Sequence, residues 1–206
     1  MDAKERAARA ALEHVASGMT IGLGTGSTAK VFIDLLGREI AAGRLANIRG
    51  VPTSIRSYDQ ARNLSIEIVD LAAAGECDVT IDGADEVDDK LDLIKGLGGA
   101  LLREKVIAQN SRKLVIIADS TKKSPHLGQR SPLPVEVVPF SHEATAHYLR
   151  TLGGTATLRV GEGDKPYVTD NGNYIYDCRY GPITQAADLN TRLKSRAGIV
   201  ETGLFI

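Results

Sequence analysis

The sequence predicts an α/β protein, with a mostly parallel sheet covered by helices on both sides and a second, smaller α+β unit. Three observations predict it. Short apolar runs alternate with helical segments along the first part of the chain, and each run is apolar on both faces, as a strand buried on both sides must be. The texture changes after residue 125, where "SPHLGQRSPLPVEVVPF" carries four of the seven prolines. Beyond that stretch the order becomes strand, helix, strand, strand, helix, which suits a compact ferredoxin-like layout.

The elements follow in order. The opening "MDAKERAARAALEHV" reads as an alanine-rich helix, with Leu12 and Val15 near its end and Gly18 as its stop. "MTIGLG" (19–24) is a buried strand meeting a glycine turn. "STAKVFIDLLGREIAAG" has helical spacing at Val31, Leu35 and Leu36, with Ser27 or Thr28 as its cap. Strands follow at "IRGV" (48–51), "SIEIVD" (65–70), "CDVTID" (77–82) and "KLVIIAD" (113–119), with helices near 54–63 and 100–110. In the second part, "VEVV" and "TATLRV" read as strands, and "SHEATAHYLRTLGG" and "TQAADLNTRLKSRAG" as helices. "YVTDNGNYIYDC" (167–178) reads as two strands around an Asn-Gly turn. The final "IVETGLFI" reads as a strand. The expected division is a Rossmann-like domain of residues 1–128 and 200–206, and a small α+β domain of residues 129–199.

Composition narrows the function classes. The 206 residues are 43% hydrophobic and 25% charged, and the formal net charge is −1. That balance suits a soluble globular protein and lacks the basic face of a nucleic-acid binder. Cys77 and Cys178 form no metal-spaced pair and read as structural thiols of a reducing compartment. The charged N-terminus reads as neither a signal peptide nor a membrane span, and no later stretch is apolar for long enough to cross a bilayer. The expectation is a cytoplasmic protein with no nucleic-acid or membrane partner.

Four strand-end turns carry chemistry-bearing residues. "GLGTGSTA" (22–29) fails the dinucleotide fingerprint, because position 27 is Ser and the region where a ribose-binding acid belongs reads "VPTS". What survives is a choice between an ordinary capped turn and a monophosphate cradle built from Thr25, Gly26, Ser27 and Thr28. "DGADEVD" crowds Asp82, Asp85 and Glu86 around Gly83. Like charges that close raise each other's pKa unless something compensates. A solvated acidic turn, a magnesium site on Asp82 and Asp85, and a set of substrate acceptors all fit. In "LIKGLGGALLREK" (93–105), Lys95 opens a glycine turn and Glu104 lies in the helix that follows. Leu102, Val106 and Ile107 are expected to bury, so Glu104 projects from another face, either in a solvated triplet with Arg103 and Lys105 or toward a site. "ADSTKK" (118–123) puts Lys122 just past another strand. Ligands of parallel α/β sheets bind at the carboxyl ends of the strands, so these turns should converge.

"GLGTGSTA", "DGADEVD", "KGLGGALLREK", "IADSTKK", "PLPVEVVP" and "VTDNGN" stand in the order and at the spacings of a known family. From about residue 18 to 203 the chain resembles ribose-5-phosphate isomerase, the A type. The resemblance implies an aldose–ketose isomerase that interconverts ribose 5-phosphate and ribulose 5-phosphate, with no metal and no organic cofactor, and a homodimer or homotetramer. Residue by residue it implies Glu104 as the general base, and Asp82 and Asp85 (with Gly83 and Ala84 between them) as sugar-contacting acids. Lys95, with Gly96, Leu97 and Gly98, matches the family's "KGGG", Thr25 to Thr28 its substrate loop, Lys122 its "ADxSK"-like lysine, and Lys4 a lysine of the first helix. Two features depart from the family. Leu97 replaces a glycine, which bears on any contact that needs positive φ there. The chain also stops at "GLFI", short of the strand that normally follows, which reads either as a sheet that lacks an edge strand or as a natural terminal variant.

The chemistry so implied moves a proton between C2 and C1 of an open-chain pentose phosphate through a cis-enediolate. It needs a base at carbon and cationic or protic groups at oxygen. Lys95 would stabilise the enediolate or hold phosphate, and the aspartates would carry the O1/O2 proton or help to open the ring. A related phosphosugar isomerase or deaminase, a non-catalytic phosphosugar sensor and a nucleotide-binding oxidoreductase are the rival readings.

Overall fold

The structure is a computed structural model and describes residues 2–206. In chain order the elements are α1 (Ala3–Leu12), β1 (Thr20–Leu23), α2 (Ser27–Ala41), β2 (Arg49–Pro52), α3 (Ile55–Asn63), β3 (Glu67–Ile68), α4 (Leu71–Ala74), β4 (Val79–Asp82), β5 (Glu86–Val87), β6 (Leu93–Ile94), α5 (Leu101–Gln109), β7 (Leu114–Ile116), β8 (Leu133–Val137), α6 (His142–Thr151), β9 (Thr155–Leu158), β10 (Tyr174–Arg179), α7 (Ala186–Lys194), β11 (Ile199–Thr202) and β12 (Leu204–Phe205). The chain divides into two compact units. One takes in the chain up to Gly83 together with Arg103–Thr121, and the other is Ala84–Leu102 with Lys122–Ile206.

The first unit is built on a five-stranded parallel sheet of order β3-β2-β1-β4-β7. β1 and β4 are buried at every position, with Ile21, Leu23, Val79 and Ile81 on one side of the pleat and Thr20, Gly22, Thr80 and Asp82 on the other. Ile21, Leu23 and Ile81 meet Phe32 and Leu36 of α2 in one core, to which Ala8 and Ala11 of α1 also belong. Local signals set the helix starts. Asp2 accepts the Glu5 N–H at 2.7 Å, and Ser54 and Ser57 form a reciprocal capping box at α3. α2 departs from expectation: its N-cap is Gly26 rather than Ser27 or Thr28, and no side chain caps it. Gly26 takes φ +114, a conformation that serine and threonine rarely adopt.

The second unit holds a four-stranded antiparallel sheet of order β11-β8-β10-β9. With α6 between β8 and β9, and α7 between β10 and β11, this is the ferredoxin-like layout expected. A three-stranded sheet, β12-β6-β5, belongs to the same unit. The fold class is as predicted, but two details differ. The expected hairpin over 167–178 has only one strand arm, because β10 already pairs with β8 on one edge and β9 on the other. The Asn-Gly turn itself forms, closed by the Thr169 N–H to the Asn173 carbonyl at 2.9 Å. The units also do not follow the boundaries at 128 and 200. β12 pairs with β6, and β11 with β8, so the tail stays with the second unit, and long-range pairing rather than the prolines decides the division.

Both cysteines are buried. Burial pushes the Cys178 thiol up to about 12 and the Cys77 thiol above its usual range, which disfavours the thiolate in both. No helix among the described residues is long and apolar enough to cross a membrane.

Candidate functional site

Each unit carries one set of the residues singled out by the sequence. In the first unit the set lies at the carboxyl edge of the parallel sheet, where strand order reverses between β1 and β4. β1 runs into Gly24 and Thr25, β2 into Thr53 and Ser54, and β4 ends at Asp82. Asp82 Oδ1 accepts the N–H of Thr25 at 3.0 Å and that of Gly83 at 2.7 Å. Thr25 Oγ1 lies 2.7 Å from both Thr53 Oγ1 and Ser54 Oγ. The turn can come this close because residue 24 is glycine: a Cβ there would fall 2.5 Å from Asp82 Cγ and 2.6 Å from Asp82 Cα.

The first turn of α2 follows directly. With no side-chain cap at Gly26, its amides and the hydroxyls of exposed Ser27 and buried Thr28 form a donor set suited to an anion. A cavity of about 630 Å³ flanks this loop, walled by Ser27, Lys30, Asp34, Arg56 and Gln60. Neither Asp82 nor Glu104 lines it, so it adjoins the chemistry-bearing groups without enclosing them. Lys4, half-buried on α1, belongs to the same unit.

Glu104 is 4% exposed, which disposes of the solvated triplet. The helix buries a different stripe from the one expected, with Leu101, Glu104, Lys105 and Ile107 inside and Val106 42% exposed. Ile107 packs over Gly22 and Thr80, since a Cβ on Gly22 would meet both. A crossover helix runs antiparallel to its strands, so Glu104, three residues earlier on the same face, lies about 4.5 Å nearer the carboxyl edge.

The second unit holds Asp85, Lys95 and Lys122. Asp85 Oδ2 accepts the Leu97 N–H at 2.9 Å, and its own N–H donates to the Ile94 carbonyl at 2.8 Å. Burial pushes the Asp85 carboxyl above the usual range, against the Leu97 N–H and the charges of Lys95, Lys122 and Arg159, which pull it down. Lys95 is 2% exposed, with Nζ 5.5 Å from the centroid of the Phe205 ring. Lys122 closes a short 3-10 turn, Ser120–Lys122. In the loop after Lys95 the left-handed positions are Gly96 (φ +102) and Gly99 (φ +84), and Leu97 is not among the residues at positive φ. The leucine therefore brings no backbone strain, and its side chain is exposed.

The third carboxylate of "DGADEVD" has other work. Glu86, fully buried, accepts the N–H groups of Gly128 at 2.5 Å, Arg130 at 2.6 Å and Ser131 at 3.3 Å, pinning the 128–131 loop. The crowding at 82–86 is thus resolved by sending each acid to its own set of donors. Among the described residues, no group of three or more His, Cys, Asp and Glu is placed to hold a metal.

Sequence reasoning missed two parts of these sets. Thr53 and Ser54 sit in "VPTS", a stretch read only for the acid it lacks, although its place after a parallel strand was the usable signal. Arg159, whose charge faces Asp85, was read only as the end of a strand.

Comparison with known proteins places the chain. The family model Ribose 5-phosphate isomerase A (phosphoriboisomerase A) matches residues 49–206. A ribose-5-phosphate isomerase A from Chloroflexus aurantiacus is 49% identical over 203 residues, 98% of this chain and 85% of the relative. One from Gloeobacter violaceus is 48% identical over 204 residues, 98% and 87% of the two chains. Among solved structures, a D-ribose-5-phosphate isomerase in complex with phospho-erythronic acid matches with a TM-score of 0.97 at 39% identity, covering 100% of this chain and 91% of that one. The ribose 5-phosphate isomerase A of Methanocaldococcus jannaschii matches at 0.94 and 38%, covering 99% and 90%. With a family model matched over most of its length and close relatives across nearly all of it, this chain belongs to the ribose 5-phosphate isomerase A family.

Proposed function

We propose that the chain interconverts D-ribose 5-phosphate and D-ribulose 5-phosphate through a cis-enediolate, with Glu104 as the base. In the aldose-to-ketose direction Glu104 takes the proton from C2, the pair left behind forms the C1–C2 double bond, and the charge moves onto O1. The same carboxylic acid then returns the proton to C1 while the carbonyl forms at C2. Lys95 stabilises the oxyanion. Asp82 and Asp85 accept from sugar hydroxyls and carry the proton between O1 and O2. The α2 start, Thr25 to Thr28, grips the phosphate together with Lys122 and orients the reacting carbons. The reading uses no metal and no organic cofactor. It places the protein in the cytoplasm, in the non-oxidative pentose phosphate pathway, as a homodimer or homotetramer.

The observation that carries the reading is the burial of Glu104 on the α5 face that packs against the parallel sheet. A glutamate on a surface helix is rarely this deeply buried. A phosphosugar sensor would need the loop at 25–28 but not this carboxylate. The test is ribose 5-phosphate turnover by wild type and Glu104→Gln. The variant should lose about three orders of magnitude in kcat with KM within a few-fold. Wild-type kcat in the folded variant would overturn the assignment of the base.

A further inference from the structure

The second unit contains a chain of contacts that ends on Asp85. Arg159 stands just beyond β9 with its side chain 13% exposed. Its Nε and Nη2 grip both oxygens of Asp177 on β10, at 2.9 and 2.5 Å. Such a two-point fork fixes the plane of the guanidinium as well as its position. The remaining nitrogen, Nη1, donates to the carbonyls of Gly96 and Leu97, each at 3.1 Å. The Gly96 carbonyl and the Leu97 N–H belong to one peptide group. Its oxygen is held by Arg159, and its N–H is the one donated to Asp85 Oδ2. Arg159 also lies 5.8 Å from the centroid of the Tyr167 ring, and the same ring closes over Gly99, where an added Cβ would meet the Tyr167 hydroxyl at 2.2 Å. A loop with an exposed leucine and two left-handed glycines has little packing of its own to fix it.

We infer that Arg159 is a positioning residue for Asp85: anchored by Asp177, it fixes the 96–97 peptide so that the Leu97 N–H holds the Asp85 carboxylate in its working orientation. The inference rests on the proposed isomerase reading and adds to it a residue that no part of that mechanism requires. Lysine at 159 would keep the positive charge near Asp85 but lose the fork, since one ammonium cannot span a carboxylate and two carbonyls in the same geometry. Charge alone and placement are therefore separable.

The experiment is a double-mutant cycle on ribose 5-phosphate turnover with Arg159→Lys, Asp85→Asn and the double variant, each checked for folding by its urea midpoint. Arg159→Lys should lower kcat about tenfold or more with KM within a few-fold, because the loss is one of orientation. On the Asp85→Asn background the same change should cost less than about twofold, since a residue that acts through Asp85 has nothing left to position. Equal, additive losses on both backgrounds overturn the inference, as does an Arg159→Lys variant with wild-type kcat. A rise in KM alone also overturns it, because Arg159 would then be a substrate contact. If Asp85→Asn itself keeps full kcat, what fails is the role given to Asp85 in the isomerase reading, an outcome distinct from the other three.

Discussion

The backbone N–H of Thr25 donates to Oδ1 of Asp82 at 3.0 Å, across the point where strand order reverses. The bond joins the turn after β1 to the last residue of β4. The proposed phosphate loop and a proposed proton-handling acid are therefore set by one local geometry. Asp82 is 1% exposed and also takes the Gly83 N–H on the same oxygen, so its orientation is fixed from the backbone. A carboxylate held in place by backbone donors needs no reorganisation when substrate binds.

Gly24→Ala should break that relationship without touching either partner. The new Cβ would fall within 2.3 to 2.6 Å of Asp82 atoms, one of them Cα, so the ends of β1 and β4 must part. Overpacking of this kind costs about 1–3 kcal/mol. The expected result is a lower urea midpoint together with a kcat loss beyond the fraction unfolded. Full retention of both would show that the turn yields without disturbing Asp82.

Lys122→Ala should act mainly on binding. The lysine's charge is felt at Asp85, and the proposal gives it the phosphate. Losing one charge-assisted contact to phosphate is worth about 1.5–3 kcal/mol. KM for ribose 5-phosphate should rise about tenfold or more, and inorganic phosphate should inhibit correspondingly less. An unchanged KM removes Lys122 from the phosphate site.

Glu86→Ala should destabilise without impairing the chemistry. Removing the carboxylate leaves the N–H groups of Gly128, Arg130 and Ser131 without their acceptor in a half-buried setting. Each unsatisfied donor costs about 1–3 kcal/mol, less where water reaches it. A loss of about 2–4 kcal/mol in urea unfolding is expected, with near-normal kcat per folded molecule. A kcat loss with stability intact would move Glu86 from the loop to the reaction.

Much of this was legible in the sequence, and the rest was not for physical reasons. β1 and β4 announce themselves as short runs carrying Ile21, Leu23, Val79 and Ile81 that end in a turn of glycines or acids. Asp82, Asp85, Lys95 and Lys122 stand out as charges placed just past such runs. The two-residue strands β5, β6 and β12 carry no local signature, because distant pairing rather than composition makes them strands. The same holds for the domain boundary. On α5 the expected apolar stripe misleads: Val106 faces water, while Glu104 and Lys105 go inside. Arg159 becomes legible only through register. Asp177 sits opposite Thr157, two residues before Arg159 and on the same face, and nothing short of the antiparallel pairing brings the two charges together.

Asp85 offers a test of sign. Burial holds its folded pKa above the usual carboxylate range, and the Leu97 N–H, Lys95, Lys122 and Arg159 oppose that without overcoming it. In the unfolded chain the group titrates near its ordinary value of about 3.9. The folded state therefore binds this proton more tightly than the unfolded state does. The group's contribution to stability is full below the unfolded pKa and is lost as pH rises through the folded one. Asparagine carries no such proton and can still accept the Leu97 N–H. Urea midpoints of wild type and Asp85→Asn, measured from about pH 4 toward pH 7, should therefore diverge, with the variant gaining on wild type as pH rises. A gap that stays flat or closes would mean that the three cations outweigh burial. The same substitution is expected to lower kcat. A change that stabilises the fold as pH rises while damaging turnover marks an acid buried at a cost to stability, which is how a functional acid differs from a structural one.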